Sequence, residues 1–458
     1  MISTGFAEKA RKSRAALTPS AARRRGARGR APSAFFLLLL TTTAAPAGSV
    51  SLPSDRPLSG SATLLTVHAA GGGPVLILAD GWLAPGSALR AELRLTVDGA
   101  PVGSRAVLDW HGAHHPVTHG FRVLAAPTLA AGDHVVLLSA TSDAPSVIGA
   151  GSLLSVLEHP AARVAQRMAP SPQLVVQTNT PAALADTDTL PHDAVARLNA
   201  GEAHGPIIAL AAGSIAYDGD GSHDFGDALW GVWVDGVEQP ANTASYADND
   251  ICRCAELAAP LALQAMFGDG PVSGHTIGIG ATAEPWVAKL GPDTVRYRVL
   301  PESVLVVLAG GMDVVGGLTV LDPAGDRVKR FPYLCVASTH AFAGCPAAGT
   351  ARQIGAADVS VPPGSARATL FSAALRVQGD GHDGGGRFEA WLELDGQRVG
   401  SPGRQDLSPA SPVSTRTVTL SYLVALTPGR HHVALAARAT GDFWHLAVTR
   451  NLPLVWFD

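Results

Sequence analysis

Lysine nearly vanishes after residue 47, where only Lys289 and Lys329 remain. Charged residues make up 16% of the chain and aromatics 5%, whereas Gly and Pro number 50 and 33. That balance excludes an architecture of long helices, which draws on Ala, Leu, Glu and Lys, and favours short strands joined by turns. Four cysteines allow no more than two disulfides. No Asn-x-Ser/Thr acceptor with a permitted middle residue occurs. There is also no Gly-x-Ser-x-Gly elbow, phosphate loop, His-Glu-x-x-His pair or dinucleotide fingerprint, so no familiar catalytic motif is present. Nothing after residue 47 reads as a membrane span.

What is present begins with an address. Residues 1–47 carry nine basic side chains, Lys9 to Arg30, against Glu8 alone. The apolar run Phe35 to Leu40 and the small residues Ala45-Pro46-Ala47 follow. A charged region, a short apolar core and a small-residue site predict a secretory signal peptide over 1–47, cleaved before Gly48. An organelle transit peptide or a signal anchor is the alternative. Without this segment the chain holds 25 basic and 37 acidic residues, a net of −12. Such a surface repels nucleic acid.

At 458 residues the chain is long enough for two to four domains. An internal repeat divides it. Alternating strands ending in Asp-Gly occur at Leu93 to Gly99, Val232 to Gly236 and Leu392 to Gly396. Each is answered by a His that opens a second apolar run: His134, His275 and His431, at intervals of 36, 40 and 36 residues. The expected units are repeat 1 over 59–159, a linker over 160–204, repeat 2 over 205–309, a Cys-containing β-rich insert over 310–362 and repeat 3 over 363–458. Asp80-Gly81 and Asp322-Pro323-Ala324-Gly325 read as turns, and 193–199 as a short helix. The period-two alternation and closely spaced turns predict an all-β fold of three antiparallel β-sandwich units, jelly-roll or Ig-like.

The pattern from Val97-Asp98-Gly99 to Val102-Gly103, with Leu129 to Leu137, resembles repeats of bacterial extracellular proteins. Leu394-Asp395-Gly396 to Val399-Gly400, with Leu426 to Leu435, fits equally; the second copy lacks the Val-Gly step. Two families share this pattern, the Ig-like repeats and the jelly-roll domains similar to the C1q/TNF group. The resemblance implies adhesion, ligand binding or scaffolding and brings no catalytic residues.

Candidate chemistry sits in loops. His111, His114, His115 and His119 could converge on Zn²⁺. Asp218, Asp220, Asp224 and Asp227, on a Gly-rich loop, could wrap Ca²⁺, although the EF-hand order is not met. Trp230, Trp233 and Trp391 stand beside polar neighbours and could stack on sugar rings. Cys252, Cys254, Cys335 and Cys345 permit three pairings, or a four-thiolate zinc site. The recurring His134, His275 and His431 read as structural, each hydrogen-bonding its turn. The functional expectation is a secreted, non-catalytic protein that binds an extracellular glycan or surface protein or builds a surface. The alternative is a metal-assisted extracellular hydrolase using His111 to His119.

Overall fold

The computed structural model describes residues 48–85, 89–110, 118–158, 163–168, 173–178, 196–197, 207–217, 228–234, 237–238, 244–246, 256–267, 276–283, 294–309, 333–339, 345–364, 367–380, 385–407, 414–442, 445–449 and 454–457. Among them are 27 strands and no helix, in antiparallel sheets of thirteen, five, five and four strands. The all-β expectation therefore holds. The described residues pack as one unit.

The first segment, 48–158, is organised by the long strand Arg56–Pro85. Its first half pairs with Thr128–Ile148, and its second half with Leu153–Glu158 and His119–Ala125. The register shifts between Gly71 and Gly73, where Gly72 takes a φ of 138°. Only glycine adopts that backbone readily, so the strand can bend there and serve two faces of one sandwich. Between those faces Ile77, Ala79, Phe121, Val123, Leu93, Leu95, Val136 and Leu138 form an apolar core. They are the inward members of the alternation seen in the sequence.

The last segment repeats the scheme. The strand Arg367–Asp380 pairs with Ser414–Leu426, and Gly385–Leu394 lies between Gln397–Leu407 and Gly429–Asp442. Phe371, Leu375, Phe388, Leu392, Val418, Leu420 and Leu435 fill the space between the two sheets. The middle segment joins the first directly: Glu256–Phe267 pairs with Ala100–Trp110 through Glu256↔Trp110 and Ala258↔Asp109, and also with Ile207–Tyr217.

Several local expectations change. The supposed linker contributes Arg163–Met168 and Gln173–Thr178, which pair with Val304–Ala309 and Thr294–Val299. Within the span read as a helix, Ala196–Arg197 is a strand paired with Thr276 and Ile277. The described end of the insert belongs to the last segment's sheets, since Tyr333–Ala337 and Arg352–Val361 pair with His445–Thr449 and Gly429–Asp442. Asp80-Gly81 is no turn but the interior of Arg56–Pro85. Its Asp is compatible with a strand because it is ion-paired, as described below.

A third apolar cluster lies outside the two sandwich cores. Leu76, Leu78, Leu124 and Leu157 of the first segment meet Ile208, Leu210, Val304 and Val306 of the middle one and Leu370 of the last. These are the other members of the same alternations. The second half of Arg56–Pro85, from Val75, and the strand His119–Ala125 are therefore covered on both faces, and the three segments share a buried junction.

Candidate functional site

The most elaborate polar chemistry among the described residues lies in that junction. Asp80 and Arg122 are cross-strand neighbours in the ladder between Arg56–Pro85 and His119–Ala125. They point to the same side as Leu76, Leu78 and Leu124, away from the first segment's own core. Both are buried, at 1% and 0% exposure. The Arg122 guanidinium donates from Nε to Asp80 Oδ1 and from one terminal nitrogen to Oδ2, each at 2.8 Å. This two-pronged geometry is the strongest that the two groups can form.

The remaining donors and acceptors come from the other segments. Arg122 also donates to Gln264 Oε1 at 3.1 Å and to Ser372 Oγ at 2.8 Å. Ser372 Oγ donates to Gln264 Oε1 at 3.2 Å, and Gln264 Nε2 donates to the Ser372 carbonyl at 2.8 Å. Ser421 Oγ donates to Asp80 Oδ2. Thr419 Oγ1 donates to the Phe121 carbonyl at 2.7 Å. A buried ion pair is tolerable only when its lone pairs and protons are met in this way. Here one segment supplies the charges and the other two supply neutral partners.

A narrow cleft runs beside this network, lined by Trp82 and Gly151 on one side and Ser401, Pro402, Gly403 and Tyr422 on the other. Arg404 covers the Trp82 ring at 5.1 Å from its centroid. Tyr422 donates its hydroxyl to the Ser401 carbonyl at 2.7 Å, and burial pushes its phenol well above the usual range. Nearby, Asp406 accepts from Thr118, Arg387 and Arg404. Burial pushes that carboxyl up, but these hydrogen bonds outweigh it and hold it below its ordinary range.

The Asp-Gly turns and their histidines form a second constellation, and the structure bears out its structural reading at both described copies. Asp98 and Gly99 have φ of 51° and 83°, and Asp395 and Gly396 of 51° and 76°, the left-handed pair that a two-residue hairpin needs. His134 Nδ1 lies 2.6 Å from Asp98 Oδ2, and its Nε2 lies 3.0 Å from the Ala130 carbonyl. His431 repeats this with Asp395 at 2.8 Å and the Thr427 carbonyl at 2.8 Å. The other carboxylate oxygen accepts the amide of Val135 in one case and of His432 in the other. The third copy, Asp235 with His275, lies outside the described residues.

Most sequence-derived site residues also lie outside the described residues: His111, His114 and His115, Asp218, Asp220, Asp224 and Asp227, and Cys252 and Cys254. His119 is described and is a buried strand residue at 3% exposure, opposite Leu83. Among the described residues no group of three or more His, Cys, Asp and Glu is placed to hold a metal ion. Trp230 is fully buried. Trp233 lies on the same strand, its side chain outside the described set. Trp391 is 6% exposed, its Nε1 donates to Glu393 at 2.9 Å, and Arg398 lies 5.1 Å from its ring centroid. Neither Trp230 nor Trp391 thus presents an open ring face. Cys335 and Cys345 form a disulfide with a Cα–Cα distance of 5.3 Å. Among the described residues no helix is long and apolar enough to cross a membrane.

Sequence reasoning missed Asp80, Arg122, Gln264, Ser372 and Ser421. The available signal was a charged residue inside each of two otherwise apolar runs, Val75 to Leu83 and Phe121 to Ala125. A charge in such a run must find a partner.

No family model matches this chain, and no curated protein does. Two solved structures show a weak likeness. One is described as "Structure of PNGF-II in P21 space group", with 8% identity and a TM-score of 0.23 over 82% of this chain and 99% of that one. The other is "Structure of PNGF-II in C2 space group", with 8% identity and a TM-score of 0.20 over 79% and 98%. At TM-scores this low the likeness says nothing of shared chemistry.

Proposed function

We propose that this is a secreted, non-catalytic protein of three β-sandwich repeats that binds an extracellular glycan or surface protein or builds a surface. The repeats pack through their outward sheet faces around one buried junction, as a trimer made of a single chain. The observation that carries this reading is where the polar chemistry goes. Asp80, Arg122, Gln264, Ser372 and Ser421 satisfy one another inside the junction, with no hydroxyl or carboxylate left aimed at a reactant. The apolar cluster around Leu78, Leu210 and Leu370 surrounds them with contacts between segments. Such a body presents its loops for recognition and leaves its interior to hold them in place.

The test follows a tagged full-length chain by cell fractionation and screens the exported form on glycan arrays, in EDTA and then with Ca²⁺ or Zn²⁺. Export with ligand binding and no turnover supports the reading. Export with neither binding nor turnover supports the surface-building form. Retention in the cytosol, or metal-dependent hydrolysis, overturns it.

A further inference from the structure

We propose that the Asp98–His134 and Asp395–His431 contacts are a matched pair of acid-tightened clasps, holding the first and last segments more firmly at mildly acidic pH than above neutrality. The geometry is the starting point. Each imidazole nitrogen faces an oxygen that can only accept, a carboxylate on one side and a backbone carbonyl on the other. A neutral imidazole carries one N–H and leaves one of those contacts lone pair to lone pair. The cation carries two and satisfies both.

The rings are also confined. The His134 and His431 side chains are 15% and 12% exposed. Behind His134 the chain passes so close that a Cβ on Gly71 would lie 2.6 Å from the ring and 2.0 Å from the Ala130 carbonyl. A ring held in such a slot cannot swing away to relieve an unmade hydrogen bond. The clasp reaches the backbone as well, because the same carboxylate accepts the Val135 or His432 amide at 2.9 or 2.8 Å. In return the Asp98 and Asp395 amides donate to the carbonyls of Val135 and His432. Losing the ring's charge therefore loosens the end of a strand ladder.

The surrounding charges act in the same direction. His134 is faced by Asp98 from the turn and by Asp133 from its own strand. His431 is faced by Asp395, while the neighbouring Arg430 and His432 are tied to Asp358 of the adjacent strand. Both imidazoles are held above their ordinary 6.5, first by the hydrogen bond to the carboxylate and then by the one to the carbonyl. The Asp98 carboxyl is held below its ordinary 3.8 first by the Val135 amide, and Asp395 first by His431. The imidazole contribution is complete below 6.5 and is lost as pH rises through the raised value. The carboxylate contribution is complete above 3.8 and is lost as pH falls through the lowered one. The clasps are thus strongest between those limits.

The experiment compares the full chain with a His134→Gln/His431→Gln variant. Thermal midpoints are taken from about pH 5.5 to 8.5, the range that spans histidine titration. Amide exchange at Val135 and His432 is followed alongside and corrected for its intrinsic pH dependence. The wild-type midpoint and the protection of both amides are expected to fall as pH rises, with a much flatter response in the variant. Parallel profiles would overturn the proposal. If the variant does not fold, NMR titration of labelled histidine in the wild-type chain decides. Rings 134 and 431 must then titrate above free histidine; titration at or below it overturns the clasps.

Discussion

The first and last segments use one scheme with different content. In both, the turn Asp and its His are 36 residues apart and make the same hydrogen bonds. Twelve residues before the His, however, the first segment carries Arg122 and the last carries Thr419. Across the ladder, Arg122 faces Asp80 whereas Thr419 faces Ala374. Two residues further on, Leu124 corresponds to Ser421, which donates to Asp80. These differences lie on the sheet faces that meet in the junction; the faces turned to each segment's own core stay apolar in both. The Asp80–Arg122 pair is neutral as a unit, and hydroxyls of the last segment supply hydrogen bonds that the pair still needs, Ser372 accepting from Arg122 and Ser421 donating to Asp80.

The deepest way to break this comparison is to remove the charge from the side that carries it. Arg122→Met leaves the Asp80 carboxylate buried with only the Ser421 hydroxyl and strips a donor from Gln264 and Ser372. The expected loss is about 3–5 kcal/mol in denaturant unfolding, the cost of breaking a buried pair by taking one partner. At the equivalent position Thr419→Val removes a neutral hydroxyl shared between the Phe121 and Gly81 carbonyls, for about 1 kcal/mol. Equal losses at the two sites would mean that the asymmetry has no energetic content.

A smaller effect tests how closely the two segments approach. Gly120 and Thr417 are equivalent by count and also touch: a Cβ on Gly120 would lie 2.4 Å from the Thr417 carbonyl. Backbone cannot yield as a flexible side chain can, so Gly120→Ala should cost about 1–3 kcal/mol through overpacking. Gly403→Ala meets Val418 Cγ1 at 2.9 Å and the Thr419 carbonyl at 3.0 Å within its own segment, a milder approach than the 2.4 Å at Gly120. Its denaturation midpoint should move less. The reverse order would place the strain within a sandwich and not between segments.

How much of this was legible in the sequence follows from what alternation can report. Period-two patterns mark the side of a strand that faces its own sandwich, so Phe121, Val123, Val418 and Leu420 could be found. They cannot report what covers the other side, where Arg122, Thr419 and Ser421 are buried as well. Asp80-Gly81 looked like a turn because that dipeptide usually makes one; its partner, 42 residues away, was invisible to local reading. The turn Asp and its His were legible because they recur, a signal independent of contact. Arg163–Met168 and Gln173–Thr178 were obscured by the Pro, Asn and Thr around them, and their pairing partners lie more than a hundred residues later.

The smallest expected effect concerns an aromatic on the opposite sheets that the first segment lacks. Trp391 stands where the first segment has Arg94, each four residues before the Asp of its Asp-Gly turn. Arg94 pairs with Glu92 and Glu302 at 3.7 and 3.5 Å on an accessible surface, so Arg94→Ala should change stability by less than about 1 kcal/mol. Arg398→Ala removes the guanidinium from the Trp391 face, for about 0.5–1 kcal/mol. It should also red-shift Trp fluorescence and raise acrylamide quenching as that face meets water. If the uncovered ring then retained a sugar that the wild-type chain does not, Arg398 would be the cover of a stacking platform that the first segment lacks. If quenching rose and no sugar bound, Trp391 would be packing for its own sheet, and recognition would have to be sought in the loops.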